Sequence, residues 1–136
     1  MSITVETAPV TEKLWGLEVE CARVPDENYT AKLLMVNPGF TSSVHYHKEK
    51  HETFYVMQGN IILSTHTVSM LAGGYENAEL DSETSLVSGQ RVMIPPLTIH
   101  SFRATVPSII VEGSTLHRDD DVYRYRKSRG FSCDYT

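Results

Sequence analysis

Apolar and polar residues alternate along much of this chain with a period near two, more often than apolar residues recur at helical spacing. Thr30 to Val36 (TAKLLMV) carries this strand pattern and is closed by Asn37-Pro38-Gly39, a turn signal. TFYVMQ and IILSTH flank Gly59-Asn60, which reads as a two-residue hairpin connection. RVMI ends at Pro95-Pro96, IHSFRA follows after a short turn, and Val106-Pro107-Ser108 leads into IIVEGS. Ser69 to Ser88 is polar, contains Gly73-Gly74, and reads as a strand with a long loop. Many short strands punctuated by Gly, Pro and Asn predict an all-β sandwich or barrel. The sequence shows no sustained helical period, internal repeat or linker.

With 136 residues, 40% hydrophobic and 21% charged, the chain suits one ordinary domain over residues 1–136. Its net charge of -5, without a block of lysines or arginines, argues against nucleic acid and anionic membranes as partners. The start, MSITVETAPVTEK, lacks the basic region and apolar run of a signal peptide, and no stretch is long enough to span a bilayer. Cys21 and Cys133 lie far apart without metal-like spacing and read as free thiols, so the expected location is cytoplasmic.

The chemistry concentrates in HYHKEKHE, residues 45–52. Residues two apart share a strand face, so His45 and His47 project together and can grip one ion. Glu52, across a short polar bend, is placed to add a carboxylate oxygen. His100, in a later strand, is the fourth candidate. Imidazole suits zinc, copper, iron and nickel, and a carboxylate shifts preference towards manganese. His51 lies in the bend, and His66 and His117 have no ligand spacing.

Gly39, His45, His47, Glu52 and Gly59 form G-x5-H-x-H-x4-E-x6-G, which resembles the first motif of the cupin superfamily, over residues 39–59. Gly89, Pro95 and His100 form G-x5-P-x4-H, which resembles the second, over residues 89–104. Leu97 stands where that family usually has glycine and Ala104 where it usually has asparagine; neither is a ligand position. The resemblance implies a double-stranded β-helix, a jelly-roll barrel, with His45, His47, Glu52 and His100 holding one divalent ion. It leaves two coordination positions open for water or substrate.

Two further stretches resemble the sugar-isomerase cupins. Lys13, Trp15, Gly16 and Glu18 read K-x-W-G-x-E, and Glu112 is followed later by Asp120, Asp121, Val122 and Arg124. The cupin domain of bacterial mannose-6-phosphate isomerases and the small lyxose-isomerase-type proteins are the comparison. The implied reaction is aldose–ketose interconversion on a sugar or sugar derivative, with the ion as Lewis acid and a general base moving a proton between carbons. Glu112 is the first candidate base. Lys48 and Lys50 are candidates to hold an anionic substrate or polarise an oxygen, and Arg103 is directed away from the His100 face. Manganese(II) is the first metal expected, ahead of iron(II), nickel(II) and zinc(II).

Each of these residues also has an ordinary reading. Glu112 would pair with a cation at a barrel rim, Lys48-Glu49-Lys50 would be a solvated charged bend, and Trp15 would be a packing anchor. The run Asp119-Asp120-Asp121 would be a helix cap or exposed charge. Two other functions share the ligand set: a metal-dependent dioxygenase, and a non-catalytic module that binds a small molecule such as a carbohydrate. A homodimer is expected, with Val44 and Tyr46 facing outward in a manner compatible with its interface.

Overall fold

The computed structural model describes residues 2–70 and 76–130. Thirteen strands follow in order: β1 (Val10–Lys13), β2 (Gly16–Val24), β3 (Tyr29–Val36), β4 (Phe40–Thr41), β5 (Val44–Tyr46), β6 (Glu52–Gln58), β7 (Asn60–Met70), β8 (Glu76–Val87), β9 (Arg91–Ile94), β10 (His100–Ala104), β11 (Ser108–Ser114), β12 (Tyr123–Arg126) and β13 (Arg129–Gly130). Short 3-10 turns occupy Pro25–Glu27 and Asp119–Asp121. Among the described residues no helix is long and apolar enough to cross a membrane.

The strands form two antiparallel sheets. One runs β1-β2-β3-β11-β6-β9. In the other, β10 carries the long β7–β8 hairpin on one edge and β5 and β4 on its opposite edge, with β12 and β13 beyond them. The expected all-β barrel is therefore what forms. Two local expectations are corrected. Gly59-Asn60 does not close a hairpin, because β6 pairs with β11 and β9 whereas β7 pairs with β10 and β8. The chain turns a corner between sheets there, and Gly59, at φ +102°, abuts Ser108 so closely that a Cβ would lie 2.2 Å from its hydroxyl. Ser69–Ser88 is mostly strand: β8 runs twelve residues against β7, and Gly73-Gly74 lies outside the described residues.

Strict alternation sorts the inward side chains into two zones along the barrel axis. Val56 and Phe54 on β6, Ala104 and Phe102 on β10, Val36 and Leu34 on β3, and Ile110 on β11 fill one end with apolar packing. Each fully buried side chain of this kind contributes about 1.5–3 kcal/mol. Continuing along those strands, still facing inward, come Glu52, His100, Lys32 and Glu112, all buried. The polar residues thus sit at the other end of the same barrel, floored by the core. Trp15 is a packing anchor, edge-on to Phe102 at 5.2 Å.

Val44 and Tyr46 do face away from the histidines, but this chain covers them itself. Val44 is buried, and Tyr46 stacks on Tyr123 of β12 at 5.1 Å. Val44 is therefore not a free surface for a second copy, whereas Tyr46 is half-buried. Cys21 is exposed and free, and Cys133 lies outside the described residues.

Candidate metal centre

His100 stands directly opposite His45 in the β10–β5 ladder, and His47 follows two residues on. The ring centroids of His45 lie 5.1 Å from His47 and 4.6 Å from His100. One nitrogen from each of the three falls within 4.8 Å of the others. Glu52, at the start of β6, brings Oε2 to 3.1 Å from Nε2 of His47 and 3.7 Å from Nε2 of His100. The four residues singled out by spacing are brought together.

The hydrogen bonds behind the rings determine what faces inward. Nδ1 of His45 lies 3.0 Å from the Ser43 carbonyl, Nδ1 of His47 donates to that of Asp121 at 2.9 Å, and Nδ1 of His100 to that of Thr98 at 2.8 Å. A carbonyl only accepts, so His47 and His100 carry a proton on Nδ1 and turn Nε2 towards Glu52; Nδ1 of His45 also lies 3.0 Å from the Ser43 hydroxyl, which can donate to it. Glu52 Oε2 and His100 Nε2 are buried there without a hydrogen bond. Two buried polar atoms without a partner, beside Nε2 of His47 at 3.1 Å from the same carboxylate oxygen, would be satisfied by a cation between them. The donor set therefore fits a divalent ion.

Electrostatics agree. Burial, then the neighbouring His100, pushes His45 down to about 3, and burial chiefly lowers His100, so both rings stay neutral at pH 7. Burial alone would raise the Glu52 carboxyl, but His47, Lys50 and His100 bring it below the usual carboxylate range.

The backbone that presents the histidines is held from two sides. Asp121, 5% exposed, accepts the amide N–H groups of Lys48, Glu49 and Lys50 at 2.9, 3.2 and 3.1 Å. Its carbonyl also holds His47. Burial raises its carboxyl, but the three amides prevail and lower it. Of the acidic run only Asp121 acts as a cap, for a bend rather than a helix, while Asp119 and Asp120 stay exposed. From the other side, the Leu97 amide donates to the His47 carbonyl at 2.7 Å. Leu97 sits at φ +70°, the left-handed conformation that glycine adopts freely, so the turn keeps its shape with strain of about 1–2 kcal/mol.

The bend is not uniformly solvated as expected. Lys48 is exposed, 4.5 Å from the Tyr123 ring centroid, and does not line the metal cleft. Lys50 is buried at 4% exposure, and its Nζ donates to Glu112 Oε2 at 3.0 Å and to His117 Nδ1 at 3.0 Å. His117 in turn places Nε2 3.2 Å from Asp119. Burial, then Lys50 and Lys32, pushes His117 down to about 4, which keeps Nδ1 an acceptor. Burial raises Glu112 despite Lys50. Lys32, Glu112's register partner on β3, pairs with Glu18 at 3.2 Å. His117 was missed because its neighbours are far away in sequence. Asp121 was marked only by the short end motif it belongs to. Lys50, Glu112, His117, Asp119, Lys32 and Glu18 line one cleft of about 700 Å³ together with His45, His47 and Glu52.

No family model matches the chain, and no curated protein matches it. Solved structures do resemble it. KdgF from Halomonas sp. superposes with a TM-score of 0.60 at 20% identity, over 76% of this chain and 81% of its own. CapF from Staphylococcus aureus gives 0.66 at 19%, over 90% of this chain but only 32% of its own, so the chain spans about a third of that protein. Streptomyces PAC13 with uridine gives 0.68 at 14%, over 93% of both chains. At such identities the likeness speaks for the fold, and the two motifs, the double sheet and these superpositions together make the chain a cupin-fold protein, an all-β double-stranded β-helix with a histidine triad able to hold a metal.

Proposed function

We propose that the chain is a metal-dependent enzyme that interconverts aldose and ketose forms of a small sugar or sugar derivative. One observation carries the reading: Glu112, a buried carboxyl held above its ordinary range, lines the same cleft as His45, His47 and Glu52. It lies opposite Phe54 in the β6–β11 ladder, one inward step from Glu52. A divalent ion held by His45, His47, His100 and Glu52 would supply Lewis-acid polarisation of a carbonyl oxygen. Glu112 would take a proton from the carbon beside that carbonyl and return it to the neighbouring carbon. Lys50 holds the Glu112 carboxylate in place and stabilises its charged form between transfers. The core beneath Phe54 and Phe102 closes the inner end of the cleft to water.

Manganese(II) is the first ion proposed, from three imidazoles and a carboxylate without thiolate; iron(II), nickel(II) and zinc(II) follow. Elemental analysis of the purified protein, followed by a pentose and hexose screen with the metal found, tests the function. Ketose formation without oxygen uptake is expected. Oxygen uptake with iron would move the protein to the dioxygenases, and saturable sugar binding without turnover would make it a binding module.

A homodimer is proposed through a face other than the one first expected. Met35, Tyr55, Met57 and Met93 are 41%, 42%, 49% and 59% exposed on the outer side of the first sheet. Leu33 and Tyr55 both pair with Val111, so β3, β11 and β6 join in one apolar surface. A patch of that kind matches itself across a two-fold axis. Light scattering at micromolar concentration is expected to give twice the chain mass, and Met35→Glu with Tyr55→Glu to give the monomer. A monomeric wild type would sink the proposal.

A further inference from the structure

A second cleft, also about 700 Å³, lies on the other face of the β10 sheet. Along β10, His100 and Phe102 point into the barrel, whereas Ser101 and Arg103 point out into this second space. Ser101 pairs with Ser64 on β7, and His66 reaches over to place Nε2 3.1 Å from the Ser101 hydroxyl. The remaining ring nitrogen of His66, Nδ1, is buried with no hydrogen-bond partner. Arg103, Arg126, Lys127 and Arg129 line the cleft, against the carboxylates Glu79 and Glu83.

The local charge runs against that of the whole chain, whose net charge is -5. Four cations face two carboxylates, and both carboxylates are engaged: Glu83 lies 3.8 Å from Arg103, and Glu79 accepts the Ser69 hydroxyl at 2.9 Å. Arg126 spends one N–H on the Ala78 carbonyl, which holds its guanidinium against β8, and makes no ion pair among the described residues. Lys127 and Arg129 form no ion pair among the described residues. Guanidinium groups lining one cleft with a histidine that has an unpartnered ring nitrogen, and with the hydroxyls of Ser42, Ser64 and Ser101, match a group with several acceptor oxygens and negative charge.

We propose that this second cleft is a binding site for a small oxyanion ligand, a carboxylate or a phosphate, separate from the metal centre. Arg126 and Arg129 grip the oxyanion, and His66 and Ser101 meet its remaining polar atoms. Lys127 borders both clefts, so the occupied site lies next to the mouth of the metal cleft. The site stands independently of the isomerase reading, because none of the four proposed metal ligands enters it.

The test is calorimetric titration of the protein as purified with inorganic phosphate and, separately, malonate, at constant ionic strength. Saturable binding of either is expected, and which one binds distinguishes phosphate from carboxylate ligands. Arg126→Gln with Arg129→Gln is expected to weaken it at least about tenfold. The Arg129 side chain makes no hydrogen bond or ion pair among the described residues, so Arg129→Gln alone, with an unchanged circular dichroism spectrum, is expected to weaken binding measurably. His45→Ala, which disrupts the metal centre, is expected to leave the affinity unchanged. Binding that survives the arginine changes but is lost in His45→Ala would put the anion on the metal and overturn the proposal. So would the absence of saturable binding by both anions.

Discussion

His47→Ala is expected to reduce bound metal from about one ion per chain to below roughly a tenth under the same purification. His47 is 4% exposed and meets Glu52 at 3.1 Å, so its removal costs a ligand and leaves Glu52 facing an empty volume. It also strands the Asp121 carbonyl that had accepted from Nδ1, with a penalty of about 1–3 kcal/mol for a buried acceptor left unsatisfied. A folding defect would imitate a binding defect, and two controls separate them. His45→Ala keeps the Asp121 contact and should lose metal just as fully. Glu112→Gln leaves all four proposed ligands in place and should retain it. Circular dichroism and elemental analysis on the three variants decide the matter: one tightly held ion in folded His47→Ala protein would overturn the ligand assignment.

Glu112→Gln is expected to lower kcat for sugar interconversion by roughly 10²–10⁴, the usual contribution of a positioned base. Metal content should not change. The substitution also removes the counter-charge of Lys50, itself 4% exposed, and breaking a buried pair in this way costs about 3–5 kcal/mol. Combining it with Lys50→Met removes both charges, so stability should recover while turnover stays low. That pattern separates a chemical role from a structural one. The pH profile gives a further check. A base works only when deprotonated, and burial raises Glu112, so wild-type activity should fall as pH drops through that raised value. The residual activity of Glu112→Gln should lack this limb. Full kcat in the variant would remove Glu112 from the mechanism and favour a binding module.

Much of the site was legible because it obeys short-range rules. The step of two from His45 to His47 puts both on one face in any strand, whatever that strand pairs with. The spaced glycines Gly39, Gly59 and Gly89 all take positive φ, as turns at motif boundaries require. Leu97 shows the limit of motif matching: the residue differs, yet the left-handed turn is kept, because the His47 carbonyl and its neighbours over-determine the backbone there. The Gly59-Asn60 connection was misread because a corner between two sheets and a tight hairpin carry the same turn residues. Only the identity of the pairing strands tells them apart.

Taken alone, then, the sequence determined the all-β class, the shared face of His45 and His47 and the four candidate ligands, while the face of Glu112 in the apolar run IIVEG stayed open. Period-two patterning is a property of a single strand and can be read without knowing its neighbours. Tertiary structure decided which strands became neighbours, and with that everything that turns a ligand set into a candidate active site. Lys50 meets Glu112 across 62 residues, and Asp121 caps the bend at Lys48 across 73. A lysine in a polar bend is ordinarily solvated; here packing removed water from it, and a buried ammonium must then find a carboxylate. That requirement, satisfied only when β11 closed against β6, paired Lys50 with Glu112 at the mouth of the histidine triad.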